Sequence, residues 1–178
     1  MFGKVSGKIL FYYDSKELFN SVSLMSAYMT KNLKSEQGSI MDEYSISEDE
    51  KDVVDVCVRQ TLPNIYEAMM KITSGIESAF DNDADGDELS SLGLEDVTGD
   101  TYIVFTIQDN AKYNENVLNL VDSTLLNCLK HGVLAEFYSI CVNADLFRIA
   151  QDKFTTSLFQ LKQRLFQLKK KAVSSQLS

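Results

Sequence analysis

The sequence predicts a mainly α protein, a helical bundle with a long C-terminal helix and a small β element near residues 101–107. The 178 residues include only one proline and eight glycines, so few residues interrupt a helix. Apolar residues recur at helical spacing over most of the chain. Only residues 101–107 (TYIVFTI) combine β-branched and aromatic residues in the manner of a strand.

Length and composition predict one domain spanning residues 1–178, with an acidic loop inserted at about residues 79–100. A chain of this length can bury a core without disulfides or metals. Its 44% hydrophobic and 24% charged residues argue against global disorder. The three cysteines (Cys57, Cys128 and Cys141) are widely spaced in apolar stretches, which predicts buried thiols in a reducing compartment.

The first predicted helix covers about residues 14–34. Asp14 and Glu17 are spaced as an N-cap residue and an acid in the third helical position. A helical apolar stripe follows at Leu18, Val22, Met25, Met29 and Leu33. Residues 35–44 are polar and are predicted to form a loop.

The second predicted helix covers residues 47–73. Ser47 and Glu50 have the spacing of a capping box, and acids in the first turn favour the helix dipole. Pro63 removes one helical hydrogen bond. Either the helix kinks there, or a new helix begins with Thr61 as its cap. Residues 79–100, with three glycines and eight acids, are predicted to form a loop.

The predicted strand at residues 101–107 needs a partner, because a lone strand is not stable. One candidate is residues 8–12, and the other is a strand of a neighbouring subunit. Pairing between subunits would be β-augmentation. It makes Tyr102, Val104 and Phe105 candidate interface residues.

The last third is predicted to be helical, with helices at about residues 112–130, 133–142 and 145–171. Gly132 marks either a break or a close helix contact, and residues 143–145 form a polar break. The aromatics Phe147, Phe154, Phe159 and Phe166 indicate core or interface. The residues predicted to face inward are Val117, Leu120, Val121, Thr124, Leu125, Cys128, Phe147, Ala150, Phe154, Leu158, Leu161, Leu165 and Leu168.

Charge is distributed unevenly along a chain whose net charge is −9. Residues 42–100 carry 17 acids and 3 bases, whereas residues 148–171 carry 7 bases and one acid. The net charge argues against non-specific binding of the whole surface to nucleic acid or anionic membrane. The asymmetry suits head-to-tail packing of identical subunits, and two separately solvated faces would show the same pattern. No membrane span is predicted, since no apolar stretch approaches about 20 residues.

Asp81, Asp83 and Asp85, followed by Gly86, match the first half of a calcium-binding loop. Leu92 stands where that loop needs a bidentate glutamate, so a flexible acidic loop is the favoured interpretation. No metal ion is predicted.

His131 is the only histidine, so a Ser–His or Cys–His nucleophile pair would have to use it. Beside Gly132, it is predicted to lie at a helix end, where a cationic histidine interacts with the helix dipole. Neither clustered zinc ligands nor a glycine-rich phosphate loop occurs in the sequence. The sequence therefore predicts no catalytic residue, no cofactor and no enzymatic activity.

The final predicted helix has a basic end, formed by Arg164, Lys169, Lys170 and Lys171. These side chains suit contact with the DNA backbone, contact with another subunit, or solvation alone. They are therefore candidate interface residues.

The order of these elements resembles the head–tail connector, or adaptor, proteins of tailed bacteriophages. A capped acidic helix is followed by an insertion with a strand, a helix, a short apolar helix containing Phe137 and Tyr138, a polar break and a long helix with a basic end. The resemblance is greatest over residues 118–168. The chain departs from the family in lacking a tryptophan near Phe137 and in its long acidic insertion.

The resemblance implies a non-enzymatic virion protein that is assembled in the host cytoplasm. Such a protein forms a ring, commonly twelve-fold, around a DNA channel. Its partners would be copies of itself, the portal protein, and tail or other ring proteins, with passing contact to DNA. The alternatives are a non-viral helical protein–protein interaction module, and an enzyme or metal sensor that uses the acidic loop.

Overall fold

The computed structural model describes residues 1–5, 7–31, 44–70, 102–108 and 113–176, with side chains described as far as residue 168, those of Val5 and Gln108 excepted. These residues form four α-helices and a three-stranded antiparallel sheet. The predicted mainly α fold with a small β element is therefore confirmed. The acidic segment at 79–100, with the candidate calcium ligands Asp81, Asp83 and Asp85, lies outside the described residues.

The sheet contains β1 (Phe2–Val5), β2 (Lys8–Asp14) and β3 (Tyr102–Gln108), in the order β1-β2-β3. Gly7 has a φ of +78° in the tight connection between β1 and β2, where glycine is favoured. β2 pairs antiparallel with β3, placing Lys8 opposite Gln108 and Asp14 opposite Tyr102. The predicted strand is thus confirmed, with the N-terminal segment as its partner, whereas β1 was not predicted.

Alternation along the strands directs one face of the sheet towards the helices. Ile9, Phe11 and Tyr13 of β2 join Phe105 and Ile107 of β3 in the main core. On the same side, the Tyr13 hydroxyl donates hydrogen bonds to the backbone and side-chain oxygens of Asp122, each at 2.9 Å. The sheet is therefore fixed to the helical part of the molecule by both apolar and polar contacts.

The first helix, α1 (Ser15–Thr30), begins directly after β2. Asp14 is its N-cap and accepts a hydrogen bond from the Glu17 backbone N–H at 2.8 Å, as predicted. Of the predicted stripe, Leu18 and Val22 are buried. Met25 and Met29 pack against the core with partial exposure.

The second helix, α2 (Lys51–Met70), follows a short 3₁₀ turn at Glu48–Glu50. The Ser47 backbone N–H donates to Glu50 Oε2 at 2.7 Å, as a capping box requires. The helix continues through Pro63, so the alternative of a new helix starting at Thr61 is wrong. Pro63 is exposed, and so is Arg59, whose carbonyl loses its helical donor and can be hydrated instead.

Two long antiparallel helices, α3 (Glu115–Ile140) and α4 (Ala144–Gln176), complete the fold. The Asn114 side chain caps α3 by accepting from the Asn116 backbone N–H at 2.9 Å. The polar break between α3 and α4 is confirmed, with Val142 at a φ of +55° and Asn143 Oδ1 accepting from the Leu146 N–H at 3.0 Å.

Gly132 lies inside α3, so the predicted break there and the separate apolar helix at 133–142 are wrong. The alternative, a close helix contact, is confirmed. A Cβ at this position would overlap the Thr61 methyl carbon and would lie 2.9 Å from Phe154 Cε2. Glycine is therefore required where α2 and α4 both approach α3, and the continuous helix places Phe137 and Tyr138 in the core.

The buried side of α4 differs by one residue from the prediction at two places. Leu146 is buried where Phe147 was expected, and Phe147 is 38% exposed. Ser157 is buried beside a partly exposed Leu158. Leu120 of α3, also predicted inward, is 43% exposed. Adjacent helical positions are about 100° apart, so both can border a wide apolar stripe and the pattern alone cannot choose between them.

The three cysteines are free thiols. Cys57 and Cys128 are buried as predicted, and burial raises the pKa of each to about 12. Cys141 is partly exposed, and burial raises its pKa as well.

Candidate interaction surfaces

Of the three interface candidates on β3, two have buried side chains. Phe105 is fully buried and Val104 is 5% exposed, whereas Tyr102 is partly exposed beside Tyr12, with ring centroids 6.3 Å apart. Phe105 instead packs against Tyr66, at a centroid distance of 5.3 Å. The strand thus directs the Phe105 side chain towards the core, and the interface role of the three residues stays a prediction.

The backbone of β3 is one edge of the sheet that the described residues form. The Tyr66 hydroxyl approaches the Val104 carbonyl oxygen at 3.5 Å, which is a long hydrogen bond. A strand adding to this edge would have to compete with Tyr66. Augmentation at β3 remains a prediction.

The outward side of α4 carries a second type of surface. Phe159 and Phe166 are each 61% exposed and lie two helical turns apart on the same side. Lys162 and Gln163, both exposed, lie between them. These four residues are called the aromatic face of α4. Large apolar side chains exposed next to each other are typical of a surface that another molecule covers.

The basic end of α4 contributes less to this face than the sequence suggested. Arg164 is partly buried, and its Nη1 donates to Gln167 Oε1 within the same helix at 3.3 Å. Lys169, Lys170 and Lys171 lie in the helical backbone of α4, and their side chains lie outside the described residues. Lys162 is therefore the basic residue that the structure places among the exposed phenyl rings.

His131 lies inside α3 with its side chain towards α4, not at a helix end, so its predicted role at a helix C-terminus is wrong. Its Nδ1 is 2.9 Å from the Ser157 hydroxyl oxygen. The pair borders a shallow cleft lined by Asn127, His131, Asp152, Lys153, Thr156, Ser157 and Gln160. Burial lowers the pKa of His131, and the positive charges of Lys153 and Lys130 lower it further.

The His131–Ser157 pair serves to join two helices. Ser157 is only 5% exposed and lies in the middle of α4, where the backbone N–H groups are used by the helix and cannot stabilise an oxyanion. A serine nucleophile would need such donors as well as an accessible hydroxyl. The hydrogen bond therefore adds a polar link between α3 and α4.

We expect acidification to destabilise the protein through His131. Because the folded state lowers its pKa, the unfolded chain binds the proton at a higher pH, near the ordinary value of about 6.5. Stability is therefore lost as the pH falls from about 6.5 towards the folded pKa. Urea denaturation at about pH 7.5 and about pH 5.5 should show a larger loss for the wild type than for His131→Gln. An equal loss in both proteins would contradict this assignment.

The described residues contain no group of three or more histidine, cysteine, aspartate or glutamate side chains that is arranged to hold a metal ion. Nor does any helix among them have the length and apolar character needed to span a membrane. No protein-family model, curated protein or solved structure matches the chain.

Proposed function

We propose that the protein is a structural virion protein that assembles into a ring in the head–tail connector of a tailed phage. In this proposal it is not an enzyme and uses no cofactor. The aromatic face of α4 carries the proposal, because Phe159 and Phe166 project from the longest helix away from the core. Covering two phenyl rings of this size would favour association through the hydrophobic effect.

The charge distribution supports self-association. Residues 48–70, which include α2, carry six acids and two bases, a net −4. Residues 148–168 of α4 carry four bases and one acid, a net +3. Opposite charge on two different surfaces favours a head-to-tail contact, and such contacts generate closed rings when the rotation between subunits closes.

Among self-associating proteins, the order of elements supports the assignment to the phage connectors. An acidic helix, a strand, a helical hairpin and a basic C-terminal end occur in the order expected of the family. The continuous α3 is a departure, since the family pattern has a short separate helix there. The ring would bind the portal protein on one side and tail or other ring proteins on the other. The basic end of α4 would meet DNA in passing.

Light scattering and negative-stain microscopy of the full chain, alone and mixed with portal protein, test the proposal. We expect ring-shaped particles, or binding of the chain to the portal. Phe159→Ser/Phe166→Ser should weaken assembly, whereas Tyr28→Ser should not, although Tyr28 of α1 is 66% exposed. A protein that remains monomeric at every concentration and ignores the portal would refute the connector assignment.

A non-viral helical interaction module is the second candidate. Leu24 and Tyr28 of α1, 60% and 66% exposed, lie one turn apart and suit the groove of a partner protein. This function predicts a monomer that binds a different protein through α1. Loss of that binding in Leu24→Ser/Tyr28→Ser, with no effect of the α4 variant, would favour it.

A further inference from the structure

The outward side of α2 carries a second exposed apolar row. Val56 and Met70 are 48% and 57% exposed, and Pro63 is exposed midway between them. Two acids, Asp52 and Glu67, and one base, Arg59, are also exposed on this side of the helix. These six residues, which carry a net −1, are called the acidic face of α2.

The acidic face of α2 matches the aromatic face of α4 in spacing. Val56, Pro63 and Met70 repeat every seven residues, as do Phe159 and Phe166. Seven helical residues rise by about 10.5 Å on either helix. Two helices with apolar rows of equal period can pack lengthwise, with the side chains of one row fitting between those of the other.

The two faces cannot meet within one molecule. Thr61 of α2 and Phe154 of α4 both point inwards and contact the position of Gly132 in α3. The acidic and aromatic faces lie on the opposite sides of their helices from these buried residues, so they are directed away from each other. Within the part of the chain that the structure describes, neither face is covered.

We propose that the aromatic face of α4 in one copy packs along the acidic face of α2 in the next copy. This inference rests on the proposed function and names the lateral contact of the ring. Phe159 and Phe166 would cover the row formed by Val56, Pro63 and Met70. Lys162 would lie close to the carboxylates of Asp52 and Glu67.

A second copy is the occupant that the charges favour. Residues 48–70 carry a net −4 and residues 148–168 a net +3, so each copy carries both halves of a complementary pair. Contact between two identical α4 faces would instead bring Lys162 against Lys162. Because the two halves differ, each copy can bind one neighbour on either side, as a ring requires.

Two variants, each defective in one half of the contact, test this pairing. Phe159→Ser/Phe166→Ser removes both phenyl rings from the aromatic face, and Asp52→Lys/Glu67→Lys places bases against the basic helix, so the two altered faces do not attract each other. All four positions are exposed, and circular dichroism would check that both variants are folded. We expect each variant alone to require at least about tenfold higher concentration to associate than the wild type.

The mixture of the two variants is the decisive sample. The first variant keeps an intact acidic face and the second keeps an intact aromatic face, so one wild-type contact can form between them. We expect an equimolar mixture to give a one-to-one heterodimer that grows no further, measured by light scattering or native mass spectrometry. Leu24→Asp serves as the control and should assemble like the wild type, because Leu24 lies on α1.

The outcomes separate this inference from the proposed function. If the wild type assembles and the mixture stays monomeric, the ring uses another surface and the α2–α4 pairing is refuted while the connector assignment stands. If the wild type itself never assembles, with or without portal protein, both are refuted. If two monomeric variants form a one-to-one heterodimer that grows no further, the pairing is supported, since contact between identical faces could not produce it.

Discussion

Replacing Phe105 with alanine is expected to lower the free energy of unfolding by about 3–5 kcal/mol. The ring is completely buried between the sheet and the helices, with centroids 6.2 Å from Tyr13 and 5.3 Å from Tyr66. Its removal takes away both aromatic contacts and leaves a cavity where β2, β3 and α2 meet. Urea denaturation followed by circular dichroism would measure the change.

Tyr102→Ala is the matched control for Phe105→Ala. Tyr102 lies on the same strand, but its side chain is partly exposed and contacts Tyr12 at the sheet surface. We expect it to cost about 1 kcal/mol or less. Equal losses for the two variants would show that Phe105 does not have the core position described above.

Gly132→Ala is expected to destabilise the protein by about 1–3 kcal/mol, although alanine favours a helix over glycine by about 1 kcal/mol. The new Cβ would overlap the Thr61 methyl carbon and crowd the Phe154 ring. To remove this overlap, α3 has to move away from α2, from α4, or from both. Thermal unfolding would detect a lower melting temperature.

Thr61→Ser provides a test of the cause. Serine removes the methyl group that the Gly132→Ala side chain would meet, and it keeps the hydroxyl that donates to the Cys57 carbonyl at 2.9 Å. The double variant should be more stable than Gly132→Ala alone, which additive effects would not give. If Gly132→Ala is as stable as the wild type, the three helices are packed less closely at this point than the structure shows.

The parts of the fold that sequence reasoning predicted correctly depend on local signals. The Asp14 cap and the Ser47–Glu50 pair use short-range hydrogen bonds that a few residues specify. The strand at β3 was recognised from its β-branched residues. Its partner could be proposed because residues 8–12 were the other short apolar run near the N-terminus.

The errors occurred where tertiary contacts decide between local alternatives. Glycine at position 132 is compatible with both a break and a close helix contact, and only the positions of Thr61 and Phe154 distinguish them. In β3, nearly every residue is apolar, so the sequence does not show that Phe105 faces the core.

The candidate interface was only partly predictable for the same reason. The sequence indicated core or interface for Phe154, Phe159 and Phe166, and the structure buries Phe154 while exposing the other two. One sequence signal was available, the angular position around the helix, because Phe159 and Phe166 fall outside the row formed by Leu161, Leu165 and Leu168. The acidic face of α2 was missed, although Val56 and Met70 likewise fall outside the row formed by the buried Cys57, Ile65 and Ala68.

The pairing of β2 with β3 has a consequence for synthesis of the chain on the ribosome. Asp14 ends β2, yet its partner strand ends only at Gln108. At translation rates of about 5–20 residues per second, this separation corresponds to roughly 5–20 s. Throughout that interval the hairpin of β1 and β2 has emerged without the strand that completes its sheet. The nascent protein thus displays an unpaired, aromatic-rich strand edge, which makes this the stage at which it most needs protection from other chains.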